Sequence, residues 1–454
     1  MRFSQLDGTR VGVWGAGREI VSFATRLAER LPAAAIAVAV FDEPPSFDVA
    51  AALAAPGVRV VGPGEEAVAA LATCDAVVRS PGVSIHRPEI IELKERGVPV
   101  TTATSLWLAE RGGDGVIGVT GTKGKSTTAA LAHHLARAAG APAELGGNIG
   151  RPALDLLDAA GDAPVIVELS SYQVADLAAG PQVAVVTNLF AEHADWHGSE
   201  RVYREEKLRL LTLPGVEQAV LPAHPPELAS APARGARHLF GQPQGWDVRD
   251  GGVAFAGEPR VSAAELPLPG EHNAMNLCAA LCALQAAGLA LPELPGALAG
   301  ALAGFTPLPH RLQTVAERDG LTWVDDSIST TPESALAALA SFPDRPLVLL
   351  GGGQDRGQDY GELGAALARR DATLVAIGTT GPRLLEAALR AGLPGERAVR
   401  AESLEAAVAS ARDLAASGAV VLLSPAAPSY DGFRDFEERG ERFAALARGE
   451  RPHT

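Results

Sequence analysis

The sequence predicts an α/β protein of three domains: a Rossmann-like N-terminal domain, a central P-loop ATPase-like domain and a Rossmann-like C-terminal domain. Three observations carry this prediction. Residues 115–128, DGVIGVTGTKGKST, read as a buried strand, a glycine-rich loop and the start of a helix. Residues 1–102 and 307–454 each alternate short apolar strands with helices, the pattern of open, mostly parallel sheets. A chain of 454 residues also has room for about three domains of roughly 150 residues each.

The first block, 1–102, opens with strand Arg10–Trp14, followed by Gly15-Ala16-Gly17 and a helix carrying Ile20, Phe23 and Leu27. Ala35–Phe41 is a second strand ending at Asp42, and Ala76–Val78 a third, before the turn Ser80-Pro81-Gly82. The glycines form only part of a dinucleotide fingerprint, because Ile20 stands where its third glycine belongs. NAD is therefore weakly supported, and another nucleotide or a diphosphate suits the loop at least as well.

The second block, 103–306, begins with the strand of Val116, Ile117 and Val119, and its helix holds Leu131 and Leu135. Val165–Leu169 and Val183–Thr187 are continuous apolar runs, as expected of strands buried on both faces. Asp250-Gly251-Gly252 predicts a hairpin. Helices over about 272–287 and 292–303 close the block. In the third block, 307–454, the strands are Leu321–Val324, Leu347–Leu350, Leu374–Ile377 and Val420–Leu423. The helices are Ser334–Leu339, Leu363–Arg369, Leu384–Leu389 and Leu404–Ala415. Its strand ends, at Asp325–Ser327, Gly351–Arg356 and Ser424–Ser429, should line a crevice.

Composition excludes several classes. The net charge of −15 argues against a general nucleic-acid binder. It also requires any anionic substrate to be held by local cations and helix N-termini. No run of 18 apolar residues is free of charges or breakers, so no membrane insertion is expected. The N-terminal residues, with Asp7, Arg10, Arg18 and Glu19, do not read as a signal peptide. Cys74, Cys278 and Cys282 lack metal spacing and read as buried free thiols of a cytoplasmic protein.

The chemistry concentrates in the central block. Gly121 and Gly124 let the backbone of Thr122 and Lys123 wrap around phosphate oxygens, while helix N–H groups face the anion. Lys125 can reach the outer phosphates, Ser126 can ligate Mg²⁺, and Thr127 completes the turn. The loop is shorter than the usual P-loop, since Val119 replaces its first glycine. Glu168, at a strand tip, is a natural Mg²⁺ ligand, with a helix cap or surface ion pair as the plainer alternative. His193, just past the strand that leads to Asn188, gains weight as a metal or substrate ligand from its place at a strand tip. Lys207, in Arg204–Leu208, reads by spacing as a solvated helix lysine.

These motifs together resemble the Mur ligases of the glutamate-adding type. The matching stretches span essentially the whole chain: Gly121–Thr127, Gly147–Gly150, Glu168–Gln173, Asn188–His193, Glu271–Asn276, Pro309–Arg311, Asp326-Ser327, Gly351–Arg356 and Ser424–Phe436. The resemblance implies an ATP-dependent ligase of peptidoglycan precursor synthesis, acting on UDP-N-acetylmuramoyl-L-alanine and glutamate through an acyl phosphate. It implies two Mg²⁺ ions, held by Ser126, Glu168, His193 and a carbamylated Lys207. Asn273, Asn276, Arg311 and Asp326 would surround the ATP. Gly15, Asp42 and Ser80 would lie around the uridine diphosphate, and Asn148 and Ser170 around the muramoyl-alanine. Thr330, Arg356, Ser429 and Phe436 would face the glutamate. A monomer is expected.

The stretch Asp326–Pro332 departs from the D-glutamate-adding pattern, with Ile328 where a lysine is usual and Arg356 where another stands. It resembles the branch that adds L-glutamate and works with a separate epimerase, as do Trp14–Glu19, Asp195–Gly198 and Ala427–Ser429. Phe436–Gly440 instead resembles the D-glutamate enzymes, so the D-isomer remains the alternative. More distant readings are a folylpolyglutamate synthetase-like ligase, a dehydrogenase and a non-catalytic nucleotide sensor.

Overall fold

The computed structural model describes residues 1–42, 53, 57–159, 161, 163–190, 194–291, 295–306, 308–355, 357–370 and 372–450. The chain divides into two compact units. One comprises Met1–Leu266 with His272–Phe305, the other Pro267–Glu271 with Thr306–Thr454.

The first unit contains two parallel sheets. In the first sheet β1 (Arg10–Trp14) is central, flanked by β2 (Ala35–Val40) and β3 (Arg59–Val61) on one side. On the other side lie β4 (Ala76–Arg79) and β5 (Val100–Thr101). Helix Arg18–Arg30 follows β1 and buries Ile20, Phe23 and Leu27, as their helical spacing predicts. The second sheet comprises β6 (Val116–Thr120), β7 (Glu144–Gly147), β8 (Val165–Glu168), β9 (Val183–Val186), β10 (Gln218–Pro222) and β11 (Ala236–Phe240). Its spatial order is β11-β10-β9-β6-β8-β7. Every residue of β6, β8 and β9 is buried, which is why these strands read as unbroken apolar runs. One apolar cluster takes side chains from both sheets, including Val13, Phe23, Trp107, Leu154, Val167 and Leu177.

The hairpin predicted at Asp250–Gly252 joins β12 (Trp246–Arg249) to β13 (Gly252–Phe255), and β14 (Glu258–Val261) extends it into a three-stranded antiparallel sheet. Helices Glu271–Ala286 and Pro295–Leu302 follow. Among the described residues no helix is long and apolar enough to cross a membrane.

The second unit holds one sheet of order β15-β16-β20-β17-β18-β19. Its strands are β15 (Gln313–Arg318), β16 (Leu321–Asp325), β17 (Leu347–Gly351), β18 (Thr373–Ala376), β19 (Ala398–Arg400) and β20 (Val420–Leu423). The β15–β16 pair is antiparallel and the rest parallel. Helices cover both faces, so each face has its own apolar cluster. The four strands and four helices predicted here all form. The partly exposed edge strand β15 carries no apolar run, so the sequence pattern did not show it.

Candidate active site

The glycine loop leaves the C-terminal end of β6, between β8 and β9. Gly121 has φ +145°, and a Cβ there would fall on the Thr187 hydroxyl, so only glycine fits. Gly124 is the left-handed N-cap of helix Lys125–Ala138. The loop is pinned by the strand-end residues of β9. Thr122 N donates to Asn188 O at 3.0 Å and Lys123 N to Asn188 Oδ1 at 2.8 Å. Thr187 Oγ1 donates to Lys123 O at 2.6 Å. Thr122 Oγ1 lies 2.8 Å from the Tyr203 hydroxyl. Lys125 Nζ curls over the loop to Thr122 O at 2.8 Å, and Ser126 and Thr127 are buried in the first helical turn.

Glu168 ends β8, in register with Val119 of β6 and Gly147 of β7. It is neither a helix cap nor a surface ion pair. Its side chain is buried, Asn148 Nδ2 donates to Oε1 at 2.9 Å, and Oε2 has no hydrogen-bond partner among the described residues. A buried carboxylate oxygen left this way is costly without a ligand, and a hard cation supplies one. The residues therefore fit Mg²⁺.

Lys207 corrects the spacing-based expectation of a solvated lysine. Only 2% of it is exposed. Its Nζ donates to Gly121 O at 2.7 Å and sits 5.0 Å above the Tyr203 ring. Helix Glu200–Leu208 thus delivers this amine to the glycine loop. His193 lies outside the described residues.

A cavity of about 210 Å³ lies between the two sheets of the first unit, lined in part by Gly17, Arg18, Ser80, Asn148, Ser170 and Tyr172. It unites Ser80, expected near the uridine diphosphate, with Asn148 and Ser170, expected near the muramoyl group. Gly15 packs directly behind Ser80. Ser170 caps the short helix Ser171–Val174 in a capping box with Gln173. Gln173 Nε2 in turn donates to Glu19 Oε1 at 2.5 Å. Asp42 does not line this cavity. Its carboxylate pairs with Arg87 at 2.7 Å, and the Arg87 guanidinium lies 5.0 Å from the centre of the Trp14 ring.

Asn273 and Asn276 are buried on helix Glu271–Ala286. A Cβ on Gly124 would collide with the Asn276 amide, so that side chain reaches the glycine loop.

In the second unit, Asp326 follows β16 and is buried. Ser424 Oγ donates to its Oδ2 at 2.8 Å and Leu312 N to Oδ1 at 3.3 Å. Burial pushes its pKa up to about 6, against the lowering effect of hydrogen bonds from Ser329 and Ser424 and the charge of Arg311. The neighbouring Asp325 accepts from His310 Nδ1 at 2.7 Å and from Ser327 N at 2.9 Å.

The loop after β16 is joined to the loop after β20, where Ala426 N donates to Ser329 O at 2.9 Å. Ser327 Oγ also donates to Phe436 O at 2.8 Å, and the Phe436 ring stands edge-on to His310. The loops bearing Thr330 and Ser429 and the helix start at Phe436 are therefore tied together. None of the three lines this unit's cavity of about 260 Å³, which Gly353, Gly378, Ser403, Asp431, Phe433 and Arg439 border. Arg356 lies outside the described residues.

Two structural groups escaped sequence reasoning. The buried Arg439 guanidinium bonds Ser327 Oγ (2.9 Å), Ser327 O (2.8 Å) and Ala427 O (3.2 Å). Desolvation lowers its pKa to about 10. His197 joins Ser171 Oγ (3.0 Å) to the Glu206 carboxylate, which also meets His86 Nε2 at 2.9 Å. Only their places within the matching stretches Phe436–Gly440 and Asp195–Gly198 hinted at them.

A glycine loop at the tip of a central parallel strand, with a lysine, a hydroxyl and a buried carboxylate beside it, defines a phosphate-loop nucleotide enzyme. The Mur ligase middle domain family matches residues 119–284, and the Mur ligase glutamate ligase domain family matches residues 310–427. A UDP-N-acetylmuramoyl-L-alanine--L-glutamate ligase of a Micromonospora species is 44% identical over 100% of this chain and 99% of its own length. The ligase of the same description from Xanthomonas axonopodis pv. citri is 44% identical, over 98% of this chain and 97% of its own. Among solved structures, a UDP-N-acetylmuramate-alanine ligase from Thermotoga maritima shares the fold with a TM-score of 0.60 at 19% identity, covering 97% of this chain and 99% of that one. The chain belongs to the Mur ligase family. It is an ATP-dependent acid–amino-acid ligase of peptidoglycan precursor synthesis.

Proposed function

We propose that this enzyme joins L-glutamate to the L-alanyl carboxylate of UDP-N-acetylmuramoyl-L-alanine, with ATP converted to ADP and phosphate. The observation that carries this reading is the similarity, over the full length, to relatives described as performing that reaction. The Asp326–Pro332 stretch, with Ile328, agrees with it.

The mechanism follows from charge. An L-alanyl carboxylate oxygen attacks the γ-phosphorus of ATP, ADP leaves, and an acyl phosphate forms. The α-amine of glutamate then attacks the acyl carbon, loses its proton, and phosphate departs with the C–O electron pair. Two anions must meet in the first step, so the site must cancel charge. Lys125 does this at the outer phosphates, with Ser126 and the N–H groups of the Gly121–Thr127 turn around them. Bound Mg²⁺ would neutralise phosphate charge and polarise the transferring group. Ser126, Glu168, His193 and Lys207, the last carbamylated to an anion, would hold two such ions. Asn273, Asn276, Arg311 and Asp326 hold the nucleotide. Gly15, Asp42 and Ser80 receive the uridine diphosphate, and Asn148 and Ser170 the muramoyl-alanine. Thr330, Arg356, Ser429 and Phe436 hold the glutamate.

We take the chain as three domains, 1–102, 103–306 and 307–454, acting as a cytoplasmic monomer ahead of an epimerase that inverts the added residue. The test is phosphate release with UDP-N-acetylmuramoyl-L-alanine and ATP, run separately with L- and D-glutamate. Inverting the centre misplaces the amine or one carboxylate, and the cost of a buried unpaired carboxylate is worth roughly a hundredfold or more in selectivity. Much faster release with L-glutamate is expected. A preference for D-glutamate would overturn the stereochemistry and leave the ligase standing, and release without amino-acid incorporation would overturn both.

A further inference from the structure

Two histidines and a glutamate converge from three segments of the first unit. His86 lies on the loop between β4 and helix Pro88–Glu95, His197 ends the short helix Ala194–His197, and Glu206 lies on helix Glu200–Leu208. One ligand atom of each lies within 4.8 Å of those of the other two. The Glu206 carboxylate meets His86 Nε2 at 2.9 Å through one oxygen and His197 Nδ1 through the other. The phosphate and Mg²⁺ motifs use none of the three.

The surrounding contacts hold these segments in place. Ser84 Oγ donates to Trp196 O at 2.8 Å, and Trp196 Nε1 donates to Gly82 O at 3.1 Å. The Trp196 ring stacks on Tyr172 at 4.6 Å and stands edge-on to His86 at 5.9 Å. His197 is buried, and its Nε2 lies 3.0 Å from Ser171 Oγ. With the Nε2 proton donated to Ser171, the Nδ1 lone pair faces the carboxylate, which is how an outer hydrogen bond orients a metal-binding histidine. His86 is exposed and gives an ion a route from solvent. The Arg79 guanidinium, 5.7 Å from the centre of the Trp196 ring, is paired with Asp176 at 2.7 Å, which offsets its repulsion of a cation.

We propose that His86, His197 and Glu206 bind a divalent transition-metal ion of the zinc class, and that this ion ties the loop after β4 to the helix carrying Lys207. A carboxylate between two imidazoles is satisfied only if each ring brings it a proton, whereas one divalent ion satisfies all three groups with both rings neutral. Two imidazoles and a carboxylate suit zinc, while Mg²⁺ prefers oxygen ligands alone. Ligand atoms around tetrahedral zinc stand roughly 3.4 Å apart, so a small turn of the exposed His86 ring closes the site, with water in the fourth position.

The test is calorimetric titration of the metal-stripped full chain with Zn²⁺, in millimolar Mg²⁺ so that the phosphate-loop site is occupied. Wild type should bind one zinc ion per chain with micromolar or tighter affinity. His86→Ala and Glu206→Gln, which remove ligands from two different segments, should each weaken binding by about a hundredfold or more with circular dichroism unchanged. Glu168→Ala, which alters the expected Mg²⁺ site, should bind zinc as wild type does. Zinc should also raise the thermal-unfolding midpoint of wild type by a few degrees and leave that of His86→Ala where it is. No zinc binding by wild type, equal binding by wild type and His86→Ala, or loss of binding in Glu168→Ala would each overturn the site.

Discussion

The first unit contains two strand–glycine–helix loops that look alike in sequence and are held differently. Gly15–Gly17 follows β1 and leads into helix Arg18–Arg30, and Gly121–Gly124 follows β6 and leads into helix Lys125–Ala138. Both sit at C-terminal strand ends and both point a helix N-terminus at the space beyond. The second is locked. Thr187, Asn188, Tyr203 and the buried Lys207 bond it from behind, and its first helical turn carries Lys125 and Ser126. The first packs against Ser80 and Val83, with Gly15 N donating to Val40 O at 2.9 Å, and its helix opens with Arg18 and the engaged Glu19. The lesson is that glycines permit an anion to approach, whereas the side chains at the helix start and behind the loop decide what is done to it. One loop is locked and opens its helix with a lysine and a hydroxyl, and the other has neither feature.

The sharpest test of that contrast is Lys125→Ala. Turnover should fall by roughly a hundredfold to a thousandfold or more, because the lysine acts on charge that develops in the transition state. The fold should be intact by circular dichroism, and acceptor binding should change little. Near-normal ligation by this variant would erase the distinction between the loops.

Next in size is Lys207→Ala. If a carbamylated lysine supplies an anion behind the second loop, the variant should be nearly inactive and regain part of its rate with added acetate or formate. A fully active variant, or one that carboxylates leave inactive, would remove the carbamate from the reading.

The third test compares glycine with glycine. Gly121→Ala places a Cβ on Thr187 at φ +145°, while at Gly17 the Cβ meets only the Ser80 hydroxyl, 2.8 Å away and able to rotate. Thermal unfolding should show Gly121→Ala destabilised by about 2–4 kcal/mol and Gly17→Ala by under about 1 kcal/mol. Equal losses would mean that the two loops are equally locked.

The smallest effect carries the contrast to the other unit, where Asp326 is a buried strand-end carboxylate like Glu168, but one with hydrogen-bond partners on both oxygens. Its folded pKa, about 6, lies above the ordinary carboxylate value. Folding therefore favours the protonated form, and that stabilisation, full below about pH 4, is lost as the pH rises through 6. Asp326→Asn should thus gain stability relative to wild type between pH 5 and pH 8, by on the order of 1–2 kcal/mol. A gap that does not change with pH would show that Asp326 is not held this way.

Much of the molecule was legible in the sequence because its signals are local. A fully buried parallel strand needs a continuous apolar run, and β6, β8, β9, β17, β18 and β20 all showed one. A loop that wraps a phosphate needs glycine within a few residues of lysine and a hydroxyl, and Gly121–Thr127 has both within a single turn. Edge strands were harder: β7 contains two glycines and β15 is half exposed, so neither carries an apolar run. Tertiary structure alone decided the environment of the single side chains. Nothing in Arg204–Leu208 sets Lys207 apart from a surface lysine. Its burial follows from how helix Glu200–Leu208 packs against the glycine loop. The sequence places Glu168 at a strand tip, but only the fold leaves one of its oxygens buried without a partner. Arg18 and Asn148, 130 residues apart, meet because two sheets pack their strand ends together. Periodicity and glycine spacing write the backbone, whereas burial and charge pairing belong to contacts between segments far apart in the chain.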